Sequence, residues 1–286
     1  MRIAVFQTSP AFLDIPANLE AIIEKIRYGA EKGTHLNVFP ELALTGYFVG
    51  EKYPDAALML TSSEIKRLAK ATKNTAAVVG FIEESPSMNF YNAALVAIDG
   101  EIRFAYRKLN LPNYGVFEEG KYFSTGKQVK VFRHRGLNIA LFICNDTWHP
   151  SLPYLAVCQK ADIFISMTNS SKEAMGSEFS NIENWHIINT FYSRVFGIYN
   201  VFVNRCGKES VQKTDQQTQT YQFWGGSEIV NPFGKTVYKA AYDAPDTIIG
   251  EIDKTVLRQK KIVLPYLKND NPYFTYRELK RILHKR

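Results

Sequence analysis

A thiol, a carboxylate and an ammonium stand at three places in this chain where each could reach a substrate. Cys144 closes the apolar run from Ile139 to Ile143 and precedes the polar turn Asn145-Asp-Thr-Trp-His-Pro150, with a helix expected from about Pro150. A nucleophile at a strand-to-helix turn faces substrate, and nearby helix-terminal N–H groups favour a thiolate and a developing oxyanion. Glu41 ends Val38-Phe-Pro-Glu and runs into Leu-Ala-Leu-Thr-Gly46-Tyr47. So apolar a setting desolvates a carboxylate and raises its pKa toward the range of a general base. Lys108 lies beyond a hairpin strand and before a loop rich in Pro, Asn and Gly, where its ammonium could enter a cleft with Glu119 holding it. Taken singly, each has an ordinary alternative: a strand-end cysteine is usually buried packing, and loop acids and lysines are usually solvated. Together they are a nucleophile, a base and an oxyanion stabiliser, the set that acyl transfer needs.

Other chemistries fit less well. Cys158 lies on the apolar face of the following helix and Cys206 sits beside Gly207 after a strand; neither has polar company. His149 follows Cys144 and Asp146 closely but precedes Pro150 in what reads as a structural turn, and no second ligand pair stands at metal spacing. His134 and His186 read as surface or helix residues. Neither a papain-like nor a metal mechanism is expected.

The elements that must position these groups follow from periodicity. Short apolar, β-branched runs at Ile3 to Phe6, Leu36 to Phe39, Ala76 to Ile82, Ala93 to Ile98, Ile139 to Ile143, Ile163 to Met167 and Ile198 to Val203 predict buried strands. Between them, Leu19, Ile22, Ile23, Ile26 and Ala30 recur at helical spacing after Pro16 in the first turn, and Ile65, Leu68, Ala69 and Thr72 form a second such period. A third runs from Ile182 to Val195. Asp99-Gly100 between two apolar stretches predicts a two-residue hairpin, so the sheets are mixed. Strand–helix–strand occurs twice: once ending at Glu41, and once with Cys144 after its first strand. Both residues then lie at carboxyl ends of core strands, where ligand sites gather in open α/β sheets.

Composition bounds the rest. A chain of 286 residues, 45% hydrophobic and 22% charged, builds a sizeable core. No Pro/Gly/Ser-rich linker divides it, so residues 1–286 read as one domain, with the stretch from about Arg258 as a C-terminal extension. Much of the net charge of +7 sits in that extension, which reads as a solvated helix face rather than a nucleic-acid arm. Three scattered cysteines make no disulfide framework and point to a reducing compartment. Without a signal-peptide pattern or a bilayer-length apolar run, a cytoplasmic location and no membrane partner are expected.

Read in order, the motifs resemble the nitrilase-like carbon–nitrogen hydrolase superfamily. Pro40-Glu-Leu-Ala-Leu-Thr-Gly-Tyr47 is similar to its glutamate block. Arg107-Lys-Leu-Asn-Leu-Pro-Asn-Tyr-Gly-Val-Phe-Glu-Glu119, with Tyr122-Phe and Gly126, is similar to its lysine block. Ile143-Cys-Asn-Asp-Thr-Trp-His-Pro150 is similar to its cysteine block. Asn204-Arg-Cys-Gly207, Gly225-Gly-Ser-Glu-Ile-Val-Asn-Pro-Phe-Gly234 and the Arg258 region extend the likeness from Ile3 to about Tyr276. Within the superfamily the chain most resembles the glutaminase domains of glutamine-dependent NAD synthetases.

The resemblance implies an α/β fold, a four-layer α-β-β-α sandwich of two mixed six-stranded sheets, and a homodimer or larger homo-oligomer with the extension at an interface. It implies Cys144 as nucleophile, Glu41 as base and acid, and Lys108 as oxyanion stabiliser, aided by the N–H of Asn145. It further implies that Glu119 positions the lysine, with Glu118 as the rival for that part. Tyr47, Tyr114, Asn145, Asn169 and Ser170 would bind substrate. No metal or organic cofactor is implied. Asn145 after the nucleophile, where true nitrilases carry Trp-Glu, favours amides over nitriles, and the segment from Lys172 to Phe179 is a candidate lid. The expected reaction converts a small linear amide to a carboxylic acid and ammonia. The alternatives are an N-carbamoyl-amine hydrolase, a glutaminase subunit feeding a separate synthetase (the ATP-using synthetase domain being absent), or, outside catalysis, a polyanion-binding protein.

Overall fold

A computed structural model describes residues 1–174, 180–212 and 218–284. In chain order the strands are β1 (Arg2–Gln7), β2 (Leu36–Val38), β3 (Ala76–Glu84), β4 (Phe90–Ile98), β5 (Glu101–Arg107), β6 (Val131–His134), β7 (Leu137–Ile143) and β8 (Ile163–Thr168). They continue as β9 (Tyr199–Asn204), β10 (Cys206–Gln212), β11 (Thr218–Trp224), β12 (Glu228–Val230), β13 (Thr236–Lys239) and β14 (Asp246–Glu251). The helices are α1 (Ile15–Glu31), α2 (Ser63–Ala71), α3 (Glu119–Tyr122), α4 (Ser151–Cys158), α5 (Asn181–Phe196), α6 (Lys254–Val263), α7 (Tyr266–Asn269) and α8 (Pro272–Leu283).

Two six-stranded sheets form among the described residues, in the orders β14-β1-β2-β3-β4-β5 and β6-β7-β8-β9-β12-β13. Both run antiparallel, parallel, parallel, antiparallel, antiparallel across the sheet. The two strand–helix–strand units seen in the sequence are the parallel pairs β1–α1–β2 and β7–α4–β8. They occupy matching places in the two sheets.

Period-two alternation builds the layers. Ile3 and Val5 of β1 face inward with Ile139 and Leu141 of β7 in the core between the sheets. Ala4 and Phe6 face outward onto Leu19, Ile22, Ile23 and Ile26 of α1 and Ile65 and Leu68 of α2. Phe142 and Phe164 face the other way, onto Val157 of α4 and Tyr192 of α5. The result is the expected four-layer α-β-β-α sandwich, and Asp99-Gly100 makes the expected hairpin between β4 and β5.

Two details depart from expectation. The two-stranded ribbon β10–β11 stands apart from both sheets; polar residues such as Lys208, Ser210 and Thr220 hid it from an apolar-run search. His134, expected at the surface or on a helix, instead ends β6 and is buried, its Nε2 2.8 Å from the carbonyl of His35. At the C-terminus, none of the residues described in α8 is buried, and Tyr273, Phe274, Tyr276 and Leu279 stand exposed. No helix among the described residues is long and apolar enough to cross a membrane.

Candidate active site

Glu41, Lys108 and Cys144 are 103 residues apart at their extremes in the chain, yet the carboxyl ends of the core strands bring them together. Glu41 follows β2, and its backbone lies directly on β3. A Cβ on Gly80 would come within 2.4 Å of both the Pro40 carbonyl and the Leu42 nitrogen, so only glycine lets β3 approach this closely. The turn that follows begins with Leu42 at φ 45° and closes with Gly46 at φ 84°. Lys108 follows β5, where its N–H donates to the Asn92 carbonyl of β4 at 2.9 Å. Cys144 follows β7 and opens a five-residue 3-10 turn, Cys144–Trp148, with φ at 46°. That left-handed conformation is uncommon outside glycine and stores strain at Cys144.

The charged groups form one buried cluster. Lys108 Nζ donates to Glu41 Oε1 at 2.8 Å and to Glu119 Oε1 at 2.6 Å, with no exposed surface on the Lys108 or Glu41 side chains. Glu119 is buried in α3, whereas Glu118 is exposed, so Glu119 is the residue that meets the lysine. Burial alone would lower the Lys108 pKa, but the carboxylates of Glu119 and Glu41 outweigh it and hold the ammonium charged. Burial raises Glu41 above the ordinary carboxylate range, with Lys108 pulling the other way. Cys144 keeps some surface toward the pocket, yet burial and then Glu41 push its thiol well above the usual value.

Glu41 is held on every side. Asn169 donates its backbone N–H to Glu41 Oε2 at 2.9 Å and its side-chain amide to the Glu41 carbonyl at 2.8 Å. Asn92 donates to Glu41 Oε1 at 2.8 Å and, more weakly, to Glu119 Oε2 at 3.4 Å. Tyr47 donates its hydroxyl to Glu119 Oε1 at 2.5 Å. Tyr47 and Asn169, expected to bind substrate, thus hydrogen-bond the carboxylates of Glu119 and Glu41.

A narrow cavity opens beside Cys144, walled by Tyr114, Phe117, Trp148 and Trp185, with Asn145 and Ser170 among its polar groups. Tyr114 donates to Asn145 Oδ1 at 2.8 Å. Ser170 Oγ accepts from both Trp185 Nε1 and Trp224 Nε1 at 3.2 Å. Of the expected lid, residues 172–174 are described and Ala174 reaches the cavity wall; residues 175–179 lie outside the described residues.

Two residues of the site were missed in the sequence. Asn92 could have been noticed as an amide inside the apolar run Tyr91-Asn-Ala-Ala-Leu-Val96. Asp146 lies two residues past Cys144 and is fully buried. It accepts the N–H groups of Leu109 and Asn110 at 3.0 and 2.8 Å, that of Ile143 at 3.1 Å and the Tyr106 hydroxyl at 2.8 Å. It thereby ties the backbone after Lys108 to the turn bearing Cys144. Burial pushes its carboxyl up to about 6, against the pull of Lys108 and these donors. Among the described residues no three His, Cys, Asp or Glu side chains cluster as a metal site would require.

A strand-end thiol beside a buried Glu–Lys–Glu cluster thus stands at the carboxyl ends of core strands in a two-sheet sandwich. The chain belongs to the carbon–nitrogen hydrolase family, whose sequence model matches residues 2–261. It is 29% identical over 268 residues to a glutamine-dependent NAD(+) synthetase of Acinetobacter baylyi, covering 91% of this chain and 46% of that protein. The chain thus spans less than half the length of that relative. It is 26% identical to an N-carbamoylputrescine amidase of Arabidopsis thaliana, covering 87% of this chain and 85% of the relative. In fold it resembles a carbon–nitrogen hydrolase from Helicobacter pylori G27, with a TM-score of 0.82 at 22% identity, covering 98% of this chain and 99% of the other.

Proposed function

We propose that this protein hydrolyses a small linear amide to a carboxylic acid and ammonia through a thioester on Cys144. The observation that carries this reading is the fully buried Lys108, clamped between Glu41 and Glu119 beside the thiol. Glu41 takes the thiol proton as sulfur attacks the carbonyl carbon. Lys108 stabilises the tetrahedral oxyanion, and the N–H of Asn145, in the first turn where no intrahelical acceptor exists, is a second donor. Glu41 then gives its proton to the departing nitrogen, so ammonia leaves and the thioester remains. Water, deprotonated by Glu41, attacks the thioester; the acid departs and the proton returns to the thiol. Glu119 acts by holding Lys108, and the aromatic cavity with Tyr114, Asn145 and Ser170 takes the acyl portion.

Likeness to an N-carbamoylputrescine amidase supports a second reading, in which a carbamoyl amine is cleaved and carbon dioxide is released as well. Likeness to a glutamine-dependent synthetase supports a third, a glutaminase that supplies ammonia to a partner. We further infer a cytoplasmic protein, consistent with its free cysteines, that forms homo-oligomers covering the exposed apolar face of α8. The test is ammonia release from a panel of linear amides, carbamoyl amines and glutamine. Cys144→Ala should abolish turnover and Glu41→Gln should abolish acylation. Turnover unchanged in Cys144→Ala overturns the mechanism, and ammonia appearing only with an added synthetase favours the third reading.

A further inference from the structure

We propose that the buried ion pair Arg205–Glu209 is a positioning element for the catalytic cluster, acting through Tyr47; this rests on the reading of Glu41, Lys108 and Cys144 given above. Arg205 follows β9 and Glu209 lies on β10, and the two side chains are 1% exposed each. Arg205 Nη1 donates to Glu209 Oε2, and the guanidinium lies over the Phe223 ring at 4.3 Å. The Glu209 carboxylate also accepts the backbone N–H of Tyr47, at 3.2 and 3.1 Å to its two oxygens, and that of Phe48 at 2.5 Å. It therefore grips the end of the turn that began at Glu41.

The fit is close enough to dictate sequence. A Cβ on Gly46 would stand 2.7 Å from Glu209 Oε2, so a side chain there would push the turn off the carboxylate. From the gripped backbone the path continues without a gap. The Tyr47 hydroxyl donates to Glu119 Oε1, and Glu119 Oε1 accepts from Lys108 Nζ. The Tyr47 ring is fixed edge-on between Phe48 and Phe117 at centroid distances of 5.0 and 5.9 Å, so a shift of its backbone carries to its hydroxyl.

Water or a neutral side chain could have capped these N–H groups. A buried ion pair is a costly means of doing so, because both charges lose hydration. What it adds is stiffness in the one segment whose two ends bear the base and the group that orients the lysine's second carboxylate. A misplacement of about 1 Å at a catalytic group costs roughly 100-fold in rate.

The test is a double-mutant cycle on kcat and KM, with Glu209→Gln, Tyr47→Phe and the double variant, on the best amide of the panel. Glu209→Gln should lower kcat by roughly 10- to 100-fold with KM within about 2-fold. In the Tyr47→Phe background the same change should cost less than about 3-fold, since the path is already cut. Equal losses in both backgrounds, or a rise in KM with kcat intact, overturn the proposal. Should Glu209→Gln not fold, Arg205→Lys, which keeps the charge but not the planar fork, takes its place in the cycle under the same criteria.

A second readout needs no turnover: the pH profile of Cys144 alkylation by iodoacetamide, followed site by site by mass spectrometry. It should move in Glu209→Gln and in Tyr47→Phe by the same amount and direction. A profile that stays put while thermal stability falls assigns the pair a purely structural part and refutes the inference. Wild-type protein that turns over no amide refutes the functional reading instead, and leaves the alkylation profile to decide this one.

Discussion

Replacing Lys108 by methionine tests the electrostatic design of the site most directly. The substitution keeps the length of the side chain and removes the cation that lies 2.8 and 2.6 Å from two buried carboxylates. Taking one partner out of a buried ion pair costs about 3–5 kcal/mol, because the remaining charge stays desolvated and uncompensated. Here two like charges remain, so one carboxyl relieves the repulsion by taking up a proton, as paired carboxylates do. That uptake fixes the sign of the pH dependence. A carboxyl whose folded pKa is raised binds its proton more tightly folded than unfolded, so its contribution to stability falls as pH rises from about 4.3 through the folded value. The destabilisation of Lys108→Met relative to wild type should thus be largest near pH 8. It should shrink by up to about 1.4 kcal/mol for each pH unit descended within that window. Urea unfolding of both proteins at several values between pH 5 and pH 8 measures this difference. Turnover should fall by roughly 100- to 1000-fold, the usual cost of losing an oxyanion donor. A destabilisation below about 1 kcal/mol, or one that does not change with pH, would refute the picture of a buried three-charge cluster.

Two further outcomes follow from the same geometry. Burial raises the Glu41 pKa, and a base must be ionised to act, so kcat/KM should climb with pH along a limb lying above about pH 4.3; a limb at or below the ordinary carboxylate value contradicts the assignment of Glu41. Cys144 sits at φ 46°, so Cys144→Gly should relieve strain and be more stable than Cys144→Ala by roughly 1 kcal/mol, read from thermal unfolding midpoints; equal midpoints would mean that the turn stores no strain.

Much of the scaffold was legible because it is local. Ile3 and Val5 alternate with Ala4 and Phe6, and that period alone assigns the inner and outer faces of β1. Leu19, Ile22, Ile23 and Ile26 recur as a helix face must, and Asp99-Gly100 encodes its own hairpin. Cys144, Glu41 and Lys108 stood out because each interrupts or ends such a pattern with a group that apolar surroundings do not need. What the chain could not disclose was which polar groups meet across it. Asn92 reaches Glu41 over 51 residues and Asn169 reaches it over 128. Such pairings leave no periodic trace, because a hydrogen bond depends on side-chain placement within a few tenths of an ångström and not on spacing in the chain. The choice of Glu119 over Glu118 rests on the same ground: adjacent residues where a short helix begins point different ways, and only the packed fold turned one toward Lys108. Sequence alone therefore determined the layers and singled out the three groups proposed to react. Tertiary packing decided that Tyr47 and Asn169 brace the carboxylates, that Asp146 ties two site loops together, and that Glu209 grips the turn between Glu41 and Tyr47, because burial makes each unpaired polar atom costly enough to select a single arrangement.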